Sequence, residues 1–183
     1  EFAGIFHRLG ADVTLTHRRA ALLNDGFDQD ICEALVAQMQ VDGLSLNLEN
    51  SVLSITKTES GLVCDMKNGA PVEVDCVLYA TGRIPNTATL GLDKAGVAMT
   101  DRGAVIVNDE WQTSQPHIYA IGDVIDRVAL TPVAIAEGHL LARRLFEGAE
   151  WRDIGYETVA TAVFSTPPIG TVGLTEHAAR AAY

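Results

Sequence analysis

The pattern of hydrophobic and polar positions changes along the chain: segments with helical spacing and strand-like apolar runs follow one another. Residues 1–9 carry apolar side chains at helical spacing up to Gly10, and residues 12–17 form a short apolar run typical of a buried strand. Helical spacing returns over 28–43, and a second strand-like run follows at 44–48. The order helix, strand, helix, strand predicts an α/β unit of the kind that binds nucleotides.

Three apolar segments follow between residues 52 and 80, separated by short polar turns. The first turn is Glu59-Ser60-Gly61 and the second contains Asn68-Gly69, a pair that favours tight hairpin turns. Three strands joined by turns of this length predict a three-stranded antiparallel meander.

The pattern loosens after residue 86 and then returns as apolar runs at 104–107 and 117–121, which predict strands. A helix is predicted over 132–146, with Thr131 as the N-cap and Pro132 in the first turn. Strand-like and turn-rich segments come next, and "TEHAARAA" has the composition of a helix start.

Composition and charge narrow the classes of function. The chain has 183 residues, of which 48% are hydrophobic and 20% charged, and its net charge is −11. The negative charge argues against nucleic acid or an anionic membrane as a partner. No apolar run reaches the roughly 18 residues that a membrane-spanning helix needs. The pattern begins and ends inside helices and opens with no secretory leader, as expected of a piece of a longer protein.

The three cysteines and five histidines have no spacing typical of a metal site, so no metal is predicted. Scattered cysteines are typical of a reduced, cytoplasmic protein. Cys76 lies in the apolar run "VDCVLYATG" and is predicted to be a small core residue.

Two segments place a charged residue where a predicted strand ends. Asp123 follows the run at 117–121, and Gly122 before it would let a ligand approach the backbone. A carboxylate there can accept hydrogen bonds from sugar hydroxyls, although it can equally cap the following turn. Arg83 follows Gly82 in "ATGRIPN" and suits a nucleotide phosphate, although an ordinary surface arginine is the alternative.

The ordered segments "YATGRIPN", "IYAIGD" and "LTPVAIAEG" resemble the second half of the flavin-dependent pyridine nucleotide–disulfide oxidoreductases. Within that family, "DRVALTPVAIAEG" and "STPPIGTVGLTE" are most similar to the glutathione reductase branch. The resemblance covers essentially the whole chain. It implies partial Rossmann-like FAD- and NAD(P)-binding domains and the start of an α+β dimerisation domain. The implied parts are the end of the NAD(P)-binding domain over 1–85, the end of the FAD-binding domain over 86–152, and the start of the interface domain over 153–183.

The resemblance also implies roles for the FAD-binding residues. Asp123, after Gly122, corresponds to the aspartate that binds a ribityl hydroxyl of FAD. The helix beginning at Leu130, Thr131 and Pro132 corresponds to the one that points at the pyrimidine ring of the flavin.

Gly82 and Arg83 fall where the FAD and nicotinamide nucleotides approach each other in this family. Glu1 corresponds to an acid that pairs with a lysine near the flavin; the alternative is an exposed helix glutamate.

The segment "THRRAALLNDGFD" bears on the choice of coenzyme. NADPH-selective members of the family have an arginine directly after the second strand and another six residues later. Arg18 or Arg19 supplies the first. Counting back from "GFD" assigns it to Arg19, so the second position falls on Asp25, which would repel a 2′-phosphate. NADPH is predicted, and NADH stays open.

The redox-active cysteine pair and the catalytic His-Glu pair of the family match nothing in this chain. The resemblance therefore implies an inactive piece of an FAD-dependent disulfide reductase, homodimeric when whole, with glutathione disulfide as the first candidate substrate. Dihydrolipoamide dehydrogenase and mercuric reductase are alternatives within the family. A non-catalytic nucleotide-binding redox-sensing module is the alternative from another class.

Overall fold

The computed structural model describes residues 1–23 and 26–183 and divides into two compact units. The first unit comprises Glu1–Tyr79 and Ala160–Tyr183, and the second comprises Ala80–Val159. Both helices and sheets are present, so the predicted α/β class is confirmed. The assignment of residues 1–85, 86–152 and 153–183 to particular binding domains stays a prediction. In the described part of the chain, no helix is long and apolar enough to cross a membrane.

The first unit opens with a helix followed by a strand–helix–strand unit. Helix α1 is Phe2–Arg8, strand β1 is Thr14–Thr16, helix α2 is Gln29–Val41 and strand β2 is Ser45–Asn47. Strands β1 and β2 pair in parallel, the arrangement that is typical of nucleotide-binding α/β proteins. Parallel neighbours need a crossover between them, and α2 lies in that crossover.

A small apolar core supports this strand–helix–strand unit. Its buried members are Leu22, Leu35, Met39 and Leu44. Leu35 and Met39 lie four residues apart on one face of α2, where successive turns bring side chains together.

The predicted meander is confirmed. Strands β3 (Val52–Lys57), β4 (Leu62–Met66) and β5 (Val72–Val74) form an antiparallel sheet in sequence order. Strand β5 is shorter than the apolar run predicts, because β4 begins at Leu62 and Val74 is the residue that faces it. Cys76 lies beyond the ladder and is exposed, so its prediction as a core residue was wrong.

The second unit contains a 3-10 helix, Gly122–Ile125, and helix α3, Thr131–Glu147, which pack against each other. Trp111 is buried in its core and meets Trp151 edge to face, with ring centroids 4.8 Å apart.

The strands predicted at 104–107 and 117–121 do not form ladders. Val105 makes a single bridge to Met99, and Tyr119 makes a single bridge to Gln112. A strand needs a neighbour along its length, and these segments meet one at a single residue pair each. The prediction of regular strands there was therefore wrong.

The chain then returns to the first unit through a hairpin and a helix. Strands β6 (Thr161–Val163) and β7 (Ile169–Thr171) are antiparallel, and Ile169 packs against the core of that unit. Helix α4 is Glu176–Ala182, and the Thr175 hydroxyl accepts the Ala178 N–H as its N-cap. The predicted helix start is confirmed.

Candidate cofactor-binding site

Asp123 lies in the second unit on a tight turn that leads out of the extended segment 117–121. It is the second residue of the 3-10 helix, and its side chain is exposed. Gly122 has a φ of +71°, which favours glycine, and a Cβ there would lie 3.1 Å from Cβ of Ala134. Both the backbone conformation and the packing against α3 therefore favour glycine before the aspartate.

Arg83 and Asp123, singled out separately in the sequence, form an ion pair. Arg83 Nη2 donates to Asp123 Oδ2 across 3.2 Å, with 82% and 47% of the two side chains exposed. An exposed pair of this kind contributes about 0–1 kcal/mol, so another partner could replace either side at little cost.

Gly82 precedes Arg83 with a φ of +123°, a backbone conformation that favours glycine. Within the described part of the chain, no atom lies within 4 Å of where its Cβ would be, so the backbone here is accessible to a ligand.

The start of α3 lies beside this turn. Leu130 is the N-cap, and its carbonyl accepts the N–H groups of Val133 and Ala134. Thr131 and Pro132 are the first two helical residues and are exposed. The prediction that Thr131 is the N-cap was wrong by one residue, because Leu130 already has the extended conformation of a cap. The N–H groups at such an end favour negative charge.

A buried glutamate behind the turn was missed by the sequence analysis. Glu137 is 1% exposed, and its carboxylate accepts the Gly122 N–H and, at 2.6 Å, the Tyr156 hydroxyl. The Tyr156 oxygen in turn accepts the Trp111 indole N–H at 3.0 Å. A signal existed: Glu137 falls four residues after buried Val133, on the inner face of a helix.

Burial is the main cause that raises the pKa of Tyr156, and its hydrogen bond to Glu137 raises it further. The phenol is therefore protonated and donates to the carboxylate.

In the first unit, the predicted phosphate-binding residues Arg18 and Arg19 follow β1 after His17. Arg18 is exposed and Arg19 is partly buried. The pKa of neighbouring His17 is lowered by burial first and then by the charges of Arg18 and Arg19. The local potential is positive, which suits an anion. Asp25 lies outside the described residues.

Glu1 is exposed and caps α1 without a side-chain cap bond. Its carboxylate accepts the Phe164 N–H at 2.7 Å. The carboxylate therefore has a defined partner within the first unit, and both the lysine pairing and the alternative of an exposed helix glutamate stay predictions.

Fold and site together define an α/β chain with glycine turns, helix N-termini and cationic side chains of the kind that bind nucleotides. Residues 1–138 match the family described as pyridine nucleotide-disulphide oxidoreductase, and the chain belongs to that family.

Curated relatives and solved structures agree with this membership. The chain is 44% identical to glutathione reductase from Nostoc sp., 42% identical to glutathione reductase from Burkholderia cepacia and 41% identical to trypanothione reductase from Trypanosoma congolense. These matches cover 99%, 100% and 98% of the chain and 42%, 40% and 37% of the relatives. The chain thus spans about two fifths of their length.

Among solved structures, the HOCl-induced flavoprotein disulfide reductase RclA from Escherichia coli is 30% identical, with a TM-score of 0.89. That match covers 98% of this chain and 41% of RclA. LpdA from Mycobacterium tuberculosis is 29% identical, with the same TM-score, over 100% of this chain and 39% of LpdA.

Proposed function

We propose that the chain is part of a longer FAD-dependent NADPH:disulfide oxidoreductase whose substrate is glutathione disulfide. The observation that carries the proposal is the exposed Asp123 carboxylate on the turn beside the start of α3, in a chain 44% identical to a glutathione reductase. The whole protein passes a hydride from the coenzyme to the flavin and electrons onward to a disulfide.

The second unit fits FAD through the chemistry of its exposed groups. Asp123 accepts a hydrogen bond from a ribityl hydroxyl, and exposed Gly82 lets the ligand approach the backbone. Gly122 is buried against α3, so it shapes the turn that presents Asp123 and offers the ligand no open backbone. Arg83 exchanges its ion pair with Asp123 for contact with a nucleotide phosphate or ribose. FAD, when bound, supplies the acceptor for the hydride; Leu130, Thr131 and Pro132 present the helix end that favours negative charge.

The first unit contributes to the coenzyme site. Arg18 and Arg19 bind the 2′-phosphate of NADPH, supported by their positive charges, which add to the larger effect of burial in lowering the pKa of His17. Glu1 pairs with a lysine supplied by another part of the protein. NADH remains the alternative coenzyme, since an acid at Asp25 would disfavour the phosphate.

The redox chemistry itself needs residues from elsewhere in the protein. Cys32, Cys64 and Cys76 are spaced too far apart to be a CxxxxC pair. We assign residues 1–85 to the NAD(P)-binding domain, 86–152 to the FAD-binding domain and 153–183 to the interface domain of a cytoplasmic homodimer.

The test is the whole flavoenzyme that contains this sequence, purified and assayed. We expect a bound-flavin absorbance spectrum and NADPH oxidation that depends on glutathione disulfide. Turnover with NAD⁺ and dihydrolipoamide, or with Hg(II), would instead support dihydrolipoamide dehydrogenase or mercuric reductase. Bound flavin without turnover on any of these would support the redox-sensing module. Sedimentation of the same sample tests the homodimer.

A further inference from the structure

Glu137 is a buried carboxylate on a helix face that is otherwise apolar. It is 1% exposed. Val133, one turn earlier on α3, is also buried on this face but is apolar. Burying a carboxylate is costly unless hydrogen bonds compensate for lost water. An apolar residue would fill this position without that cost, so packing alone does not explain why a glutamate is found here.

The contacts of Glu137 connect the Asp123 turn to the core of the second unit. One carboxylate oxygen accepts the Gly122 N–H, and the other accepts the Tyr156 hydroxyl at 2.6 Å. Tyr156 is anchored by the indole N–H of buried Trp111 and by the Arg127 guanidinium, 5.5 Å from its ring centroid. The carboxylate therefore joins the Trp111–Tyr156 pair to the Ile121–Gly122 peptide group, one peptide group before Asp123.

We propose that Glu137 is a positioning residue that fixes the direction of the Asp123 carboxylate and thereby sets the affinity for FAD. The inference rests on the proposed role of Asp123. Glycine tolerates many backbone conformations, including the φ of +71° at Gly122. A contact from outside the turn is therefore needed to hold the turn in one of them. Hydrogen bonds from a backbone N–H to a carboxylate are among the stronger ones in proteins, and Glu137 supplies that contact.

The test is a double-mutant cycle in the whole flavoenzyme. Apoprotein is prepared from wild type, Glu137→Gln, Asp123→Asn and the double variant, and the Kd of FAD is measured by flavin fluorescence. We expect Glu137→Gln to weaken FAD binding by about tenfold, since the amide presents NH2 to one of the two donors. Asp123→Asn should then add little in the Glu137→Gln background, because both changes act through one contact.

Leu141→Ala is the matched control. Leu141 packs against the same core one turn after Glu137 on α3, and its apolar side chain takes no part in the Gly122–Glu137–Tyr156 hydrogen bonds, so the substitution lowers the melting temperature of the apoprotein while changing FAD affinity by less than about threefold. Equal losses of FAD affinity in Leu141→Ala and Glu137→Gln would mean that Glu137 acts only through general stability, which overturns the proposal.

Glu137→Asp keeps the charge and retracts the carboxylate by one methylene, and it is used in the same cycle if Glu137→Gln does not fold. Additive effects of the position 137 and position 123 variants overturn the positioning role while leaving Asp123 as an FAD ligand. Wild-type FAD affinity in Asp123→Asn overturns the proposed function of the turn, and this inference with it.

Discussion

At the scale of single residues, the exposed carboxylate of Asp123 contrasts with the buried one of Glu137. Asp123 has an ion pair with Arg83 that solvent screens, whereas Glu137 accepts two hydrogen bonds in a nearly dry environment. An exposed acid can exchange its partner for a ligand at low cost, and a buried one cannot. The two acids of this turn therefore suit different tasks, one in contact with a ligand and one in support of it.

Asp123→Ala in the whole flavoenzyme should weaken retention of FAD. Losing a charged hydrogen-bond partner costs about 1–3 kcal/mol, which corresponds to a loss of affinity of about fivefold to 150-fold. The measurement is flavin absorbance after dialysis against mild denaturant. Asp126→Asn is the matched control, because Asp126 follows three residues later, its Oδ2 lies 4.0 Å from Arg102 Nη1, and its φ of 52° is one that asparagine tolerates. Full retention of flavin in Asp123→Ala would contradict the ribityl assignment.

His17 should link NADPH binding to protonation. Burial, Arg18 and Arg19 lower its pKa below the usual 6.5, so it is neutral at pH 7. A bound 2′-phosphate adds negative charge, which raises that pKa and favours proton uptake. Protonation of His17 therefore strengthens NADPH binding as the pH falls from 7 toward its pKa, whereas NADH gains nothing.

The measurement is the Kd of both coenzymes between pH 6 and pH 8, for wild type and His17→Gln. The phosphate itself loses charge near pH 6, which opposes the effect equally in both proteins. The difference between the two NADPH profiles is therefore the contribution of His17. Identical profiles would place His17 outside the phosphate site.

At the scale of elements, the periodicity of apolar residues predicted the helices and turns that a local sequence pattern encodes. Helix α2 follows from apolar residues such as Leu35 and Met39 at helical spacing, and the meander follows from its two turns. The predicted strands at 104–107 and 117–121 form only single bridges. A regular strand also needs a neighbour paired along its length, and a local pattern does not encode that neighbour. Glu137 was missed for a similar reason, since its donors Gly122 and Tyr156 come from other segments.

Two glycines of the meander differ in how much space surrounds the position of a Cβ atom. Gly61, directly before β4, has a φ of +153°, and a Cβ there would lie 2.8 Å from the backbone oxygen of Val74. Gly69 has a φ of +89° but no described atom within 4 Å of its Cβ position. Gly69→Ala therefore introduces only backbone strain, about 1–2 kcal/mol.

Gly61→Ala adds a steric clash with a backbone atom of β5 that cannot rotate away. We expect it to lower the free energy of unfolding by at least about 1 kcal/mol more than Gly69→Ala, as measured by urea denaturation of the whole protein. Equal destabilisation by the two substitutions would mean that β5 moves away from β4 without cost.

At the scale of the whole molecule, each unit has its own buried core, yet large apolar side chains remain exposed in both. On α1, Phe2 and Phe6 stack with centroids 5.9 Å apart and are 56% and 43% exposed. Leu9 is 80% exposed, and on α3 Phe146 is 85% exposed. Scattered apolar residues are normal on a surface, but a continuous apolar face on one helix is typical of a surface that another segment or chain covers.

The 183-residue chain expressed alone should therefore self-associate. The apolar face of α1 gains free energy when it leaves water, and the short sheets offer edges for pairing between molecules. Sedimentation velocity and dye binding at micromolar concentrations measure this association. Replacing Phe2 and Phe6 by serine should reduce it more than Leu53→Ser, a matched control in which a single exposed apolar residue on β3 is removed. A monodisperse monomer with a sharp, cooperative melt would contradict this prediction. It would mean that the apolar face of α1 is stable in water without a second segment or chain packed on it.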